Sequence, residues 1–183
     1  MTKGINRSDL SEAKRLARRV VRLAAEGMAL GQADEDSSAA CRLILKSTVW
    51  QRASRVMLYV PMRGELNVNS LIENGLKDDK LIALPRFSVS KNAYEACGID
   101  NLSDLVPGKF GVLEPPPDCQ TMDTKQLDLA IVPGVAFAGL GGRLGRGGGF
   151  FDRLLTDIPA KKCGVCFEQQ VYPDVPVERH DVK

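Results

Sequence analysis

Apolar positions along this chain fall into short runs, some at helical period and some continuous, separated by polar or glycine-rich stretches. Leu10, Ala13, Leu16, Ala17, Val20, Leu23 and Ala24 recur at helical spacing; Ser8-Asp9-Leu10-Ser11-Glu12 offers a capping-box start, and the pattern ends near Gly27. Gly31 to Ser37 reads as a polar loop, after which Ser37 or Ser38 caps a second helix reaching about Thr48, with Ala40, Leu43, Ile44 and Trp50 toward its core. RVMLYVP, from Arg55 to Pro61, is a continuous apolar run of strand length, the pattern of a strand covered on both faces. A short helix over Ser70 to Leu76 follows a cap at Asn67-Val68-Asn69. KLIALP from Lys80 to Pro85 is the next strand, and Asn92 to Ile99 a weaker one. Pro107, Pro115, Pro116 and Pro117 make Leu102 to Thr124 an extended loop. Leu127 to Val132 is again strand-like, Phe150 to Leu155 resumes a helical pattern, and Lys162 to Phe167 is a last strand. The tail from Val171, carrying Pro173 and Pro176, is expected to be irregular. Strands alternating with helices predict one domain over residues 1–183: an α/β fold with a single open, mostly parallel sheet flanked by helices in three layers.

Between the strand at Leu127–Val132 and the helix at Phe150 lies a glycine-rich loop, Gly134 to Gly149, interrupted by Arg143 and Arg146. Strand, glycine loop, helix start is an order that brings bare backbone N–H groups close to an anion, and arginines add always-charged, forked donors suited to phosphate. The loop is not a P-loop, because no G-x-x-x-x-G-K-[ST] is present. Nor does G-x-G-x-x-G fit: Gly139 and Gly141 would require glycine at Leu144, and Gly145 and Gly147 would require it at Phe150. The bland alternative is a turn without a ligand. Likewise Lys14 and Arg18, four apart on the first helix, read from spacing alone as a solvated basic face.

Bulk properties narrow the function classes. A length of 183 residues suits one domain with a proper core, and 44% hydrophobic with 26% charged residues is ordinary for a globular chain. A formal net charge of +2 argues against nucleic acid or a membrane surface as partner, and Arg146-Gly147-Gly148 is a single RGG unit rather than a repeat. The N-terminal MTKGINRSDLSEAKRLARR lacks an apolar segment, so a cytoplasmic location is expected. The 5 cysteines, an odd number, read as reduced thiols, with Cys163 and Cys166 packed in a strand rather than holding metal. His180 is the single histidine, too little for a Ser-His-Asp or multi-histidine site.

RLGRGGGFFDRLL, with VPGVAF before it, resembles the signature of the 5-formyltetrahydrofolate cyclo-ligases, also called methenyltetrahydrofolate synthetases. Lys-x-x-x-Arg on the first helix, a glutamate after the first strand, LPR closing the next, FGVLEP, FEQQ and VPVERHD fall in that family's order from about Ala13 to Asp181. The resemblance implies a cyclo-ligase-like fold. It also implies an ATP- and Mg²⁺-dependent closure of 5-formyltetrahydrofolate, with or without a polyglutamate tail, to 5,10-methenyltetrahydrofolate. In that reaction the formyl oxygen takes the γ-phosphoryl group, N10 closes on the activated carbon, and phosphate leaves. Such chemistry asks for positioning and charge stabilisation, not a side-chain nucleophile.

Carried over by the same resemblance, Lys14 and Arg18 hold ATP phosphates. Arg143, Leu144, Gly145, Arg146, Gly147, Gly148, Gly149, Phe150 and Phe151 form the nucleotide loop. Val60, Glu65, Arg146 and Phe150 contact the folate, with Phe110 lining its pocket. Arg146 is the catalytic residue, and Asp152 and Asp181 bind the metal. The family usually shows two tyrosines where this chain has Phe150-Phe151. That departure motivates the alternative, a relative with altered or lost catalysis that binds folate or nucleotide. The chain is expected to act as a monomer.

Overall fold

A computed structural model describes residues 7–25 and 31–178. Its main sheet has 5 strands in the order β3-β2-β1-β6-β9. These are β1 (Arg55–Met57), β2 (Leu81–Ser88), β3 (Ala93–Ile99), β6 (Leu129–Val132) and β9 (Lys161–Gly164). β1 runs parallel to β2 and β6, and β6 parallel to β9, while β3 is antiparallel to β2. The open, mostly parallel α/β sheet is therefore as expected. Asp128 bolts two of these strands together at their start: its Oδ2 accepts the Ser54 and Arg55 backbone N–H groups at 2.9 and 2.8 Å.

Alternation along the strands supplies two cores. Val56, Leu58, Ile82, Leu84, Leu129 and Ile131 face α2 (Gln32–Lys46), α3 (Thr48–Arg52) and α4 (Asn69–Lys77), through Cys41, Trp50, Leu71 and Ile72. Met57, Ala83, Ala130 and Val132 face α5 (Phe150–Thr156) through Leu154 and Leu155. Burial on both faces is why these strands read as unbroken apolar runs.

Several expectations are corrected. α2 begins at Gln32, because Gly31 takes the left-handed conformation (φ 90°) and the polar QADEDS stretch is the helix's first turns, with Asp34 and Glu35 favourably placed near its positive end. Leu43 points outward, 73% exposed. The extended segment contains a small hairpin, β4 (Val106–Pro107) with β5 (Leu113–Glu114). The tail is not wholly irregular: β10 (Val171–Tyr172) pairs parallel with β7 (Ala136–Ala138), which pairs with β8 (Arg143–Leu144) in a second sheet.

Helix α1 (Arg7–Ala25) covers that second sheet, not the main one, with Val21 packed beside Ala136, Ala138, Leu144 and Val175. The inward face is consequently Lys14, Arg18 and Val21, whereas Leu16, Val20 and Leu23 are exposed. A solvated basic face is thus overturned for Lys14, which is buried.

The cysteine reading also changes. Cys97 and Cys119 form a disulfide, their Cα atoms 5.9 Å apart. The reason is local: residues 120–122 run beside β3, with Gly98 N–H donating to the Gln120 carbonyl and Met122 N–H to that of Ala96. Cys41, Cys163 and Cys166 are free thiols. Cys163 is exposed on the edge strand β9 and Cys166 lies beyond its end, so this pair is not core packing as expected.

Candidate active site

The glycine loop leaves β8 at Leu144 and ends where α5 begins at Phe150. Three guanidinium groups lie against its bare backbone. A Cβ on Gly145 would sit 3.3 Å from Arg143 Nη1, one on Gly147 would sit 3.3 Å from Arg18 Cζ, and one on Gly149 would sit 3.2 Å from Arg153 Nη1. Gly147 also has φ +107°, a conformation L side chains rarely adopt. Arg18 is fixed there by donating from Nε to the Gly145 carbonyl at 2.7 Å.

Two cavities meet at this loop. One is a basic recess of about 390 Å³, with Lys14, Arg18, Leu144, Arg153 and Glu178 in its wall. The other is an aromatic-lined cavity of about 350 Å³ bordered by Tyr59, Val60, Glu65, Tyr94, Phe110 and Phe150. Arg143, Gly145, Gly147, Gly149 and Asp152 border both. A ligand in one would touch the same backbone as a ligand in the other.

In the recess, Lys14 Nζ pairs with Glu178 Oε2 at 2.8 Å. Arg143 is buried and held from two sides, donating from Nη1 to the Pro133 carbonyl at 3.0 Å and from Nη2 to Asp152 Oδ1. Its place is therefore structural as well as electrostatic. Leu144 is buried among Val21, Ala136 and Val175, which leaves only its backbone to meet a ligand. Among the described residues no three His, Cys, Asp or Glu side chains gather as a metal cluster. Asp152, alongside the Lys14-paired Glu178, is a carboxylate of the recess, and Asp181 lies outside the described residues.

In the aromatic cavity, Phe150 sits edge-to-face with Phe87 and Tyr94, centroids 5.4 and 6.0 Å away, and tilted against Phe110 at 5.8 Å. Phe151 instead turns into the two cores, with the Arg143 guanidinium 5.8 Å from its ring centre. Arg146 Nε donates to Glu65 Oε1 at 2.8 Å, and the other Glu65 oxygen accepts Met62 N–H at 2.9 Å. Burial, followed by the negative fields of Glu114 and Glu65, pushes the Tyr94 hydroxyl above its ordinary pKa.

Sequence reasoning missed Phe87, Tyr94, Glu114, Arg153 and Gln170. Buried Gln170 donates from Nε2 to the carbonyls of Gly64 and Val135 at 3.2 and 3.1 Å, and its Oε1 accepts Phe167 N–H. It thereby ties the Glu65 turn to the bend between β6 and β7. FEQQ and FGVLEP mark the neighbourhood of Gln170 and Glu114, but spacing alone assigns neither a contact.

An open α/β sheet whose glycine-arginine loop divides an anion-suited recess from an aromatic cavity defines a protein built to bring two small ligands together. The chain belongs to the 5-formyltetrahydrofolate cyclo-ligase family, whose model matches residues 6–183. It is 33% identical over 138 residues to the 5-formyltetrahydrofolate cyclo-ligase of Mycolicibacterium smegmatis, covering 69% of each chain. With the mouse cyclo-ligase it shares 24% identity over 157 residues, covering 76% of this chain and 75% of that one. The fold resembles the NMR structure of Aquifex aeolicus 5,10-methenyltetrahydrofolate synthetase with TM-score 0.82 and 28% identity, over 92% of this chain and 85% of the other.

Proposed function

We infer that this chain catalyses the ATP-dependent cyclisation of 5-formyltetrahydrofolate to 5,10-methenyltetrahydrofolate, releasing ADP and phosphate. The observation that carries the reading is the shared border of the two cavities, in a chain whose family match extends over residues 6–183. That extent also supports treating the chain as a single domain.

The chain's own residues suit the task. The recess can take ATP phosphates between Lys14, Arg18 and the backbone of Gly145, Gly147 and Gly149, with Gly148 on the aromatic-cavity side, and the cradle that a Cβ on Gly147 would fill fits that use. Tyr94, Phe110 and Phe150, backed by the buried Phe87 ring, line a cavity suited to a planar heterocycle, with Val60 and Glu65 on its wall. Asp152, half-buried where the cavities meet, would hold Mg²⁺ together with phosphate oxygens and water, as this ion usually asks of one or two carboxylates. ATP supplies the phosphoryl group that makes the formyl oxygen a leaving group, and the magnesium ion disperses its charge. Arg146, half-exposed above Glu65, can turn its guanidinium to the transferred phosphoryl group while the loop holds the two ligands in reach.

A cytoplasmic location and a monomeric state complete the proposal. A polyglutamate tail on the substrate belongs to the same proposal. The test is spectrophotometric: purified chain, 5-formyltetrahydrofolate and MgATP should yield the methenyl product, and omitting ATP or chelating Mg²⁺ should abolish it. No product above the enzyme-free rate overturns the reading in favour of a relative that binds its ligands without turnover, to which the hydroxyl-free Phe150 would then point.

A further inference from the structure

The aromatic cavity has two glutamates in its wall, and their hydrogen bonding differs. Glu65 has each oxygen engaged, one by Arg146 and one by the Met62 N–H. Glu114 does not. Its Oε2 accepts the Phe87 backbone N–H at 3.0 Å, while Oε1 is buried with no partner among the described residues. The residue as a whole is only 6% exposed. A buried carboxylate oxygen without a donor is costly, and native proteins rarely leave one so unless a ligand or water completes it.

The surroundings hold that carboxylate in place. Glu114 ends the β4–β5 hairpin, and its side chain lies directly on the bare backbone of Gly108, where a Cβ would collide with the carboxylate carbon and with Oε2. The same hairpin carries Phe110 in the left-handed region (φ 64°), followed by Gly111 at φ 73°, and this turn sets the Phe110 ring against Phe87 and Phe150. One short hairpin therefore delivers both a ring wall and an acceptor to the cavity. The charge of Glu114 also reaches Tyr94, adding to burial in raising that hydroxyl's pKa.

We propose that Glu114 is a specificity-determining residue of the substrate cavity, its Oε1 accepting a hydrogen bond from an N–H of the bound pterin ring. A reduced pterin carries donors at its 2-amino group, N3 and N8, more than Glu65 can satisfy alone with one of its oxygens held by the Met62 N–H. A second acceptor among aromatic walls selects a donor-rich heterocycle over a flat apolar one, because a site built around a polar group rejects ligands that leave it unpaired.

The proposal rests on the cyclo-ligase reading of this cavity, and its test separates the two. Binding of 5-formyltetrahydrofolate without ATP is measured by calorimetry for the unaltered chain and for Glu114→Gln, alongside steady-state kinetics and thermal unfolding. Glu114→Gln can keep the Phe87 N–H bond through its amide oxygen and turns the other position from acceptor to donor. The folate Kd and KM should rise about 10- to 100-fold, the loss of one hydrogen bond to a charged acceptor. KM for ATP should move less than about threefold and the unfolding midpoint should hold. Gly108→Ala, which displaces the carboxylate without removing it, should weaken folate binding in the same direction. Unchanged folate affinity in Glu114→Gln overturns the role of Glu114 while leaving the enzyme reading intact. Parallel losses in folate affinity, ATP affinity and thermal midpoint overturn it too, by marking Glu114 as a structural tie. Failure of the unaltered chain to bind 5-formyltetrahydrofolate overturns both.

Discussion

Arg146 and Glu65, 81 residues apart in sequence, meet across the mouth of the aromatic cavity, Nε to Oε1 at 2.8 Å, with Arg146 also donating to the Arg63 carbonyl at 3.0 Å. The pair is asymmetric: the Arg146 side chain is 43% exposed and that of Glu65 only 7%. The arginine is the movable partner. Because the arginine end is solvated and the Met62 N–H still holds the buried Glu65 carboxylate, losing the pair is expected to cost about 1 kcal/mol or less. Arg146→Ala is therefore expected to lower turnover at least about 100-fold, the scale of losing a preorganised transition-state donor, and to leave the urea midpoint almost unchanged. A large loss of stability with modest loss of turnover would make Arg146 a structural residue instead.

Arg143 should behave in the opposite way. Its guanidinium is buried between the Pro133 carbonyl and Asp152. Removing it leaves an unpaired acceptor and a partly buried carboxylate, and Arg143→Ala should cost about 2–4 kcal/mol of folding free energy. Chemical denaturation at neutral pH measures this. A cost below about 1 kcal/mol would mean that Arg143 serves chiefly as a ligand contact.

Gln170 lies behind the site, and its three bonds join the Gly64 turn, the Val135 segment and the loop at Phe167. Gln170→Leu keeps much of the volume but strands those buried backbone groups, so a loss of about 2–4 kcal/mol is expected. Because the Gly64 turn carries Glu65, KM for folate should rise more than KM for ATP. Equal changes in the two would argue against this coupling.

Tyr59 gives the fold a limit in alkali. Its hydroxyl donates to the Leu66 carbonyl at 2.8 Å inside the core. Burial foremost, and then the charges of Glu65, Cys41 and Cys166, raise its pKa far above the ordinary tyrosine value. The unfolded chain releases this proton near pH 10 and the folded chain retains it, so the contribution is intact below about pH 10 and declines as pH rises beyond it. The slope for one such group is about 1.4 kcal/mol per pH unit. Stability measured from pH 8 to 11 should fall more gently in Tyr59→Phe, which has no phenol to ionise, though from a lower starting value. Identical slopes would refute the assignment.

Three parts of the molecule were legible in the sequence for reasons that are local. Val56–Leu58, Ile82–Leu84 and Leu129–Val132 are unbroken apolar runs because each strand is covered on both faces, and any such strand must read that way. The glycine-arginine loop was legible because close backbone approach requires missing side chains at adjacent positions, as at Gly147. Helix α1 was found, but not its inward face. Its pattern offers an apolar stripe through Leu16, Val20 and Leu23, yet packing on the second sheet selects Lys14, Arg18 and Val21. Which stripe of a helix is buried depends on the surface it meets, and that surface comes from residues more than 100 positions away.

The ring box follows the same rule. Phe87, Tyr94, Phe110 and Phe150 stand on β2, on β3, in the turn between β4 and β5 and at the start of α5, and no period relates them. Glu114 is one more acidic residue in a proline-rich stretch until the hairpin brings it under Phe87 and beside Gly108. The sequence by itself determined the sheet, the loop and, through the loop, the family. Only the tertiary structure decided which side chains close the cavity, because convergence of distant segments is set by long-range packing and leaves no local periodic trace.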